Sequence, residues 1–200
     1  MKAAAFDYLT PRDIGGAITA LAQGGDDAKL LAGGQSLGPM LNLRLTRPKL
    51  VVDISRVAAL STCEDRGDTV WIGACVTHAA IEDGRTTIVL DPMLRSIAKG
   101  IAYRAVRNRG TIGGSLAHAD PAADWPLALA VRAATIHIRG PRGERQVAAD
   151  QFMAGAYTTA LAGGEMIVGV AVPKLSGSAR WGYYKFCRKT GEFPEASAAI

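Results

Sequence analysis

The sequence has few of the residues that hold metal centres or disulfide frameworks. Its 200 residues include three cysteines and three histidines, with no Cys-x-x-Cys pair and no spacing that suits a zinc site. Three scattered thiols cannot supply the four ligands of an iron–sulfur cluster. We therefore expect no metal site in this chain, and we interpret Cys63, Cys75 and Cys187 as small buried apolar residues.

Long apolar runs and clustered basic residues are missing as well. No apolar run reaches the length of a membrane-spanning helix, and Asp7 interrupts the only apolar stretch near the N-terminus, so neither a span nor a signal peptide is predicted. These features indicate a cytoplasmic protein. The net charge of +5 is dispersed, and its densest basic run, residues 104–109, has no aromatic residues between the arginines. This argues against nucleic-acid binding and suits an anionic small ligand or an acidic partner subunit.

Glycine is the residue in excess. It accounts for 23 of 200 residues, against a usual share of about 7%. Much of the excess lies in Gly-Gly pairs without any repeat period. Because glycine has no side chain, such pairs let the backbone pass close to a ligand or to another segment.

Hairpin signals and crossover helices alternate along the chain, which predicts an α+β fold and not a doubly wound sheet. Thr10 followed by Pro11 predicts the start of the first helix. Residues 110–121 contain glycine, aspartate and proline, and we interpret them as a loop. The apolar residues 195–200 indicate a chain that is interrupted.

The first candidate site is the segment AGGQSL at residues 32–37, between a predicted strand and a predicted helix. Two adjacent glycines let backbone N–H groups converge on an anion, and Ser36 adds a hydroxyl donor. The segment matches neither the dinucleotide-binding pattern G-x-G-x-x-G nor a P-loop. A tight strand-to-helix turn is the alternative.

The second candidate site is the segment RNRGTIGGSLAHADPAAD at residues 107–124. Its Gly-Gly pair again offers bare N–H groups, flanked by the hydroxyls of Thr111 and Ser115. Asp120 or Asp124 could accept from ribose hydroxyls, or could instead lie at a helix start. The two segments lie about eighty residues apart, which suits a long diphosphate ligand between two subdomains. No catalytic nucleophile is visible, so the chemistry would belong to a cofactor.

Together the two segments resemble the FAD-binding medium subunits of molybdenum hydroxylases of the carbon monoxide dehydrogenase and xanthine dehydrogenase type. The resemblance implies a two-subdomain FAD-binding fold of the vanillyl-alcohol-oxidase/MurB-like (PCMH) type. We place the N-terminal FAD-binding subdomain at residues 1–54 and the second at residues 55–175. Residues 176–200 would begin the connection to a C-terminal domain that the sequence lacks.

The resemblance also implies which residues contact the cofactor, and it implies no catalytic residue. The first segment would wrap the pyrophosphate, and the second would contact the diphosphate and the ribityl chain, with Ser115 standing where many relatives have Asn. An acidic residue would bind the adenosine ribose, and two further residues would line the isoalloxazine ring. Phe193 would lie near the ring or serve as a core aromatic. The predicted cofactor contacts are Ala32, Gly33, Gly34, Gln35, Ser36, Leu37, Thr111, Gly113, Gly114, Ser115, Asp124, Ile167 and Lys185.

The implied function is electron transfer through FAD to an external acceptor. Electrons would come from iron–sulfur clusters in a small partner subunit, and the molybdenum cofactor would lie in a large partner subunit, in a dimer of heterotrimers. Two alternatives stay open at this point. One is a non-catalytic assembly subunit whose cofactor cleft is empty, and the other is a stand-alone FAD oxidoreductase.

Overall fold

A computed structural model describes residues 2–200, and its strands form two main sheets and two short ribbons. The strands are β1 (Asp7–Leu9), β2 (Ala28–Leu31), β3 (Leu50–Asp53), β4 (Cys63–Arg66), β5 (Thr69–Gly73), β6 (Thr135–Gly140), β7 (Gly143–Ala148), β8 (Met153–Gly155), β9 (Thr158–Thr159), β10 (Met166–Pro173), β11 (Tyr183–Phe186) and β12 (Ala196–Ala199). The first sheet is parallel, in the order β1-β3-β2. The second is antiparallel, in the order β4-β5-β10-β6-β7, and the ribbons are β8-β9 and β11-β12.

Eight α-helices lie among these strands within residues 2–200. They are α1 (Ile14–Gly24), α2 (Leu37–Asn42), α3 (His78–Asp83), α4 (Pro92–Gly100), α5 (Arg104–Arg107), α6 (Ile112–His118), α7 (Asp124–Val131) and α8 (Ala149–Phe152). Helix α1 packs on β2 and β3, α3 packs on α4, and α6 packs on both β10 and α7. The mixture of helices, hairpins and a parallel unit confirms the predicted α+β fold.

The two sheets draw their strands from successive parts of the chain. The parallel sheet uses residues 7–53, and the antiparallel sheet uses residues 63–173. Strand β6 alternates buried and half-buried residues, whereas β10, the central strand, is buried along most of its length. Alternation is typical of a strand with one face toward solvent, whereas continuous burial indicates that β10 is covered on both faces. The division after residue 54 stays a prediction.

The first helix does not start where the sequence predicted. It begins at Ile14 and is capped by Asp13, whose Oδ1 accepts a hydrogen bond from the Gly16 N–H at 2.8 Å. The predicted cap at Thr10 and the predicted first position at Pro11 are therefore wrong. Aspartate caps a helix at least as well as threonine does, and Asp13 directly precedes the first helical residue, Ile14.

The predicted loop over residues 110–121 is also wrong, because residues 112–118 form α6. Thr111 caps this helix by accepting from the Gly114 N–H at 3.1 Å. Cys63 and Cys75 are buried as predicted, while Cys187 is only half-buried. Within residues 2–200, no helix has both the length and the apolar character needed to cross a bilayer.

Gly73 in β5 tests how closely two backbone segments pack. A Cβ atom at this position would lie 2.3 Å from the carbonyl oxygen of Leu60, which belongs to backbone that cannot rotate away. We expect Gly73→Ala to lower the free energy of unfolding by about 1–3 kcal/mol, as overpacking does. Urea unfolding followed by circular dichroism measures the change.

Gly100→Ala is the matched control, because a Cβ there meets nothing within 4 Å and the residue is helical. It should leave the free energy of unfolding unchanged or raise it by up to about 1 kcal/mol. A Gly73→Ala variant as stable as the wild type would contradict the close packing.

Candidate functional site

The segment after β2 presents a row of backbone donors that the protein does not use. From Gly33 to Leu37, five successive N–H groups have no acceptor within residues 2–200. Gly34 has φ of +73°, which turns the chain so that successive N–H groups face one side. Ser36 precedes α2 but its side chain makes no capping bond. Consecutive free N–H groups in such a turn form a concavity that binds anions.

A second segment closes against this row. A Cβ atom on Gly33 would lie 2.0 Å from the carbonyl oxygen of Arg109 and 2.9 Å from the Cα of Gly110. Only glycine fits there. The two candidate segments predicted from sequence are therefore in direct contact, although about eighty residues separate them.

Two threonines that start helices lie side by side at this contact. Thr77 and Thr111 form an isolated antiparallel bridge, flanked by the hydrogen bond from the His78 N–H to the Gly110 carbonyl at 2.9 Å. The Oγ1 atom of Thr77 accepts from the Ala80 N–H at 3.2 Å, as that of Thr111 accepts from its own helix. Each hydroxyl thus uses a lone pair for its helix and keeps its hydrogen for another acceptor.

These elements enclose a cavity of about 170 Å³ lined by Ala32, Gly33, Ser55, Cys75, Thr77, Asn108, Arg109 and Thr111. None of these eight residues carries a carboxylate. Three hydroxyls can donate into the cavity, and Asn108, whose Oδ1 accepts from Arg104 at 2.9 Å, has its amide N–H groups left to donate. A lining rich in donors and free of acids fits a phosphate group.

The glycines of the second segment act differently from those of the first. The Gly113 N–H donates to the Ala74 carbonyl at 2.9 Å, and the Gly114 N–H donates to Thr111. A Cβ atom on Gly113 would lie 2.6 Å from that of Ala74. The prediction that Gly113 and Gly114 present free N–H groups is therefore wrong, because both N–H groups are hydrogen-bonded within the protein. The lack of a side chain at Gly113 instead allows α6 to pack on the end of β5. The contact of this glycine pair with a cofactor stays a prediction, as does that of the half-buried Ser115.

Asp124 and Lys185 form a buried ion pair away from the cavity lining. The Nζ of Lys185 lies 3.0 Å from Oδ2 of Asp124, with the two side chains 11% and 4% exposed. The Tyr183 hydroxyl donates to Oδ1 of Asp124 at 2.5 Å, and Lys185 also donates to the Gly100 carbonyl at 3.3 Å. Burial raises the pKa of Tyr183, and the hydrogen bond to Asp124 raises it further, so the hydroxyl stays protonated.

The remaining predicted residues lie at other places in the fold. Ile167 is buried in β10 beside an irregularity in its pairing with β6, and α6 packs against this strand. Phe193 is 66% exposed, so its alternative interpretation as a core aromatic is wrong.

The structure adds five residues to the site that were not predicted as cofactor contacts. Ser55, Cys75, Thr77, Asn108 and Arg109 all line the cavity. Thr77 could have been found, because threonine is a favoured residue at a helix start and a helix start leaves N–H groups unpaired. Asn108 and Arg109 lie within the second candidate segment, whereas Ser55 and Cys75 carry no local signal, since only the packing of distant segments brings them to the cavity.

A buried histidine supports the wall of the cavity. His78 is 4% exposed, its Nδ1 accepts from the Trp125 Nε1–H at 3.1 Å, and a Cβ on Gly110 would lie 2.9 Å from its ring. Burial lowers the pKa of His78 to about 4, and the nearby positive charge of Arg107 adds to the effect. The imidazole is therefore neutral at physiological pH.

Comparison with known proteins gives a consistent result. The chain matches the family model of the FAD binding domain in molybdopterin dehydrogenase over residues 4–175. It is 40% identical over 199 residues to the 6-hydroxypseudooxynicotine dehydrogenase complex subunit alpha of Paenarthrobacter nicotinovorans, covering 100% of this chain and 67% of that protein. It is 42% identical over 196 residues to the carbon monoxide dehydrogenase medium chain of Hydrogenophaga pseudoflava, covering 98% and 68%.

Solved structures agree with these sequence relatives. Carbon monoxide dehydrogenase from Hydrogenophaga pseudoflava, in a form that lacks the Mo-pyranopterin moiety, matches with a TM-score of 0.93 and 39% identity over 100% of this chain and 69% of that one. Quinoline 2-oxidoreductase from Pseudomonas putida 86 matches with a TM-score of 0.91 and 37% identity over 100% and 69%. The chain thus spans about two thirds of the length of these relatives.

The neutral His78 predicts a pH dependence of stability. Because its pKa is about 4 when folded and 6.5 when unfolded, the unfolded state binds the extra proton between these values. Stability is therefore complete above pH 6.5 and falls as the pH drops toward 4. The loss is on the order of 3 kcal/mol at most, at about 1.4 kcal/mol per pKa unit.

We expect His78→Gln, whose amide oxygen can still accept from Trp125, to flatten this slope in urea titrations at a series of pH values. His118→Gln, at a half-buried residue on α6, is the control and should keep the wild-type slope. Equal slopes for all three proteins would contradict a buried neutral His78.

Proposed function

This chain belongs to the FAD-binding domains of molybdopterin dehydrogenases, the medium subunits of molybdenum hydroxylases, and on that basis we propose that it transfers electrons through FAD between a partner subunit and an external acceptor. FAD is the cofactor of this family. The relatives are dehydrogenase subunits.

The row of unused N–H groups from Gly33 to Leu37 carries the proposal. Unpaired backbone donors are stabilised only by solvent or by a ligand with acceptor atoms. Gly33, the first residue of the row, lines a donor-rich cavity without a carboxylate, and a diphosphate supplies both the acceptors and the negative charge. This observation favours a cofactor-binding subunit over an assembly subunit whose cleft is empty.

The cavity holds the phosphate part of the cofactor. Its volume of about 170 Å³ is below the 300–1,000 Å³ of typical whole-ligand sites, so the adenosine and the flavin extend beyond it. Residues 32–37 bind the pyrophosphate through their N–H groups. The Thr111 hydroxyl donates from the opposite wall, and Gly113, Gly114 and Ser115 on the first turns of α6 contact the adjoining part of the cofactor.

The buried ion pair serves the flavin end. An ammonium group has three N–H donors, and Lys185 uses two of them, on Asp124 and on the Gly100 carbonyl. The third can donate to the polar edge of the ring, where a cation stabilises the negative charge of reduced flavin. Ile167 supplies apolar contact to the ring, and Asp124 orients Lys185 through the ion pair. The contact of Asp124 with the adenosine ribose stays a prediction.

Bound FAD supplies the redox chemistry, and the chain binds, orients and electrostatically tunes it. Three scattered cysteines cannot ligate a cluster, so the electrons come from another chain. The partners we propose are a small iron–sulfur subunit and a large molybdenum-cofactor subunit, assembled as a dimer of heterotrimers in the cytoplasm. Co-purification followed by mass spectrometry of the associated chains tests this assembly.

Gly33 provides the most direct test of FAD binding. In Gly33→Ala the added Cβ would lie 2.0 Å from the Arg109 carbonyl oxygen and push the two segments apart. We expect FAD affinity to fall at least about tenfold, equivalent to about 1.4 kcal/mol, as measured by quenching of flavin fluorescence.

Gly177→Ala is the control, because a Cβ there meets nothing within 4 Å and the residue lies outside both segments. It should bind FAD as the wild type does. Normal FAD affinity of Gly33→Ala would contradict the placement of the pyrophosphate, and a wild-type chain that binds no FAD would contradict the proposed function.

Lys185 predicts an effect on the reduction potential. Lys185→Met removes the cation and should lower the midpoint potential of bound FAD by about 30 mV or more, where 30 mV is about 1.4 kcal/mol for a two-electron couple. Equilibration with reference dyes measures the potential. Lys189→Met, at a side chain 68% exposed, is the control and should leave it unchanged.

A second variant, Asp124→Asn with Lys185→Met, avoids leaving a buried carboxylate without its partner. If both variants bind FAD at the wild-type potential, Lys185 has no role at the ring.

A further inference from the structure

The guanidinium group of Arg107 donates four hydrogen bonds within the protein. Its Nε and Nη2 atoms donate to the two carboxylate oxygens of Glu82 at 2.8 and 3.1 Å. Its Nη1 donates to the carbonyls of Ile101 and Ala102, both at 3.0 Å. The side chain is 12% exposed and that of Glu82 is 14% exposed. A bidentate ion pair between two side chains with so little solvent exposure has a single well-defined geometry.

The other arginines of the same run differ from Arg107. Arg104 bonds Asp83 and one oxygen of Glu82, but its side chain is 45% exposed. Arg109 makes no ion pair within residues 2–200 and is exposed. Arg107 is therefore the arginine of the run that is anchored inside the protein.

The pair joins the two segments whose other ends form the cavity. Glu82 lies in the last turn of α3, which starts at Thr77, and Arg107 ends α5, after which Asn108 and Arg109 follow. Thr77, Asn108 and Arg109 line the cavity, whereas neither member of the pair does. The bond between Glu82 and Arg107 thus fixes the spacing of the cavity walls from outside.

We propose that the Arg107–Glu82 pair is a positioning element of the phosphate cavity, so that the affinity for a diphosphate ligand depends on this pair without either side chain touching the ligand. The inference rests on the proposed function of the cavity. It extends that function to two residues that the cofactor contacts do not include.

The backbone segments that line the cavity are packed so closely that they leave little room for movement. The Arg109 carbonyl lies so close to Gly33 that a single methyl group would not fit between them, and the Gly110 N–H is tied to the Val106 carbonyl at 2.7 Å. A shift of α5 is therefore transmitted to the lining. Displacements of about 1 Å at a positioned site have large effects on function. The hydrogen bonds from Arg107 also hold the pKa of Glu82 below its usual range, so the pair stays charged.

The test uses the full chain and two probes that carry a diphosphate, FAD and ADP, with riboflavin as the probe that lacks one. Glu82→Gln removes the charge and one of the two oxygen acceptors. Arg107→Lys keeps the charge but cannot reach two carboxylate oxygens and two carbonyls at once. We expect each variant to bind FAD and ADP about tenfold more weakly, with riboflavin affinity changed less than twofold.

Asp91→Asn is the matched control. Asp91 pairs with Arg132 at 2.7 Å, and Arg132, like Arg107, also donates to a backbone carbonyl, that of Pro173. This pair is also buried but lies at the opposite end of α4 and lines no part of the cavity. Asp91→Asn should lower the melting temperature and leave FAD and ADP affinity within twofold of the wild type. Lys174→Gln, which removes an exposed pair with Asp65, should also leave both affinities within twofold of the wild type.

Four outcomes decide the proposal. Loss of FAD and ADP affinity in Glu82→Gln and Arg107→Lys, but not in the two controls, supports it. Wild-type affinity in either folded variant of the pair overturns it, as does an equal loss in Asp91→Asn, because affinity would then follow general stability. A wild-type chain that binds neither FAD nor ADP overturns the proposed function and this inference together.

Discussion

The relative placement of three helices depends on the hydrogen bonds that the backbone carbonyls at the C-terminus of α4 accept from two buried cations. The carbonyls of Gly100, Ile101 and Ala102 lie at or beyond the last turn, where no helical N–H reaches them. Lys185 donates to the first carbonyl and Arg107 to the other two. Each of these cations has its own buried carboxylate, on α7 for Lys185 and on α3 for Arg107. Because a buried charge without a partner is costly, these contacts fix the ends of three helices relative to one another.

The glycine excess serves two different physical needs. Gly34 gives a turn whose N–H groups have no acceptor within residues 2–200, Gly73 and Gly113 allow backbone segments to touch where a methyl group would not fit, and Gly33 serves both needs. The pairs 33–34 and 113–114 look alike in the sequence, although only the first has free N–H groups. Only the three-dimensional contacts distinguish a glycine that exposes its backbone from one that packs it.

This difference explains which parts of the fold and of the site could be predicted from the sequence. The two segments, their approach to each other across a shared cleft and the α+β fold were predictable, because strand and turn signals are local and the resemblance rests on long motifs. Their direct contact through Gly33 was not predicted. Helix α6 was missed because Gly113 and Gly114 are poor helix formers, and the contact with Ala74 that makes Gly113 necessary spans 39 positions of sequence. The pairs of Arg107 with Glu82 and of Lys185 with Asp124 were not predictable either, because charge patterns indicate ion pairs only between neighbours on one helix.

The threonines at the cavity wall have one more consequence. The hydroxyl oxygens of Thr77 and Thr111 each accept from the first turn of a helix, and both residues line the cavity, so their hydroxyl hydrogens are free to donate to a ligand there. Occupancy of the cavity and fraying of these two helix starts are therefore linked equilibria, since a ligand that accepts from the hydroxyls also keeps them in their capping rotamers. Slower amide exchange in the opening turns of α3 and α6 would thus report a filled site, without any change in the path of the backbone.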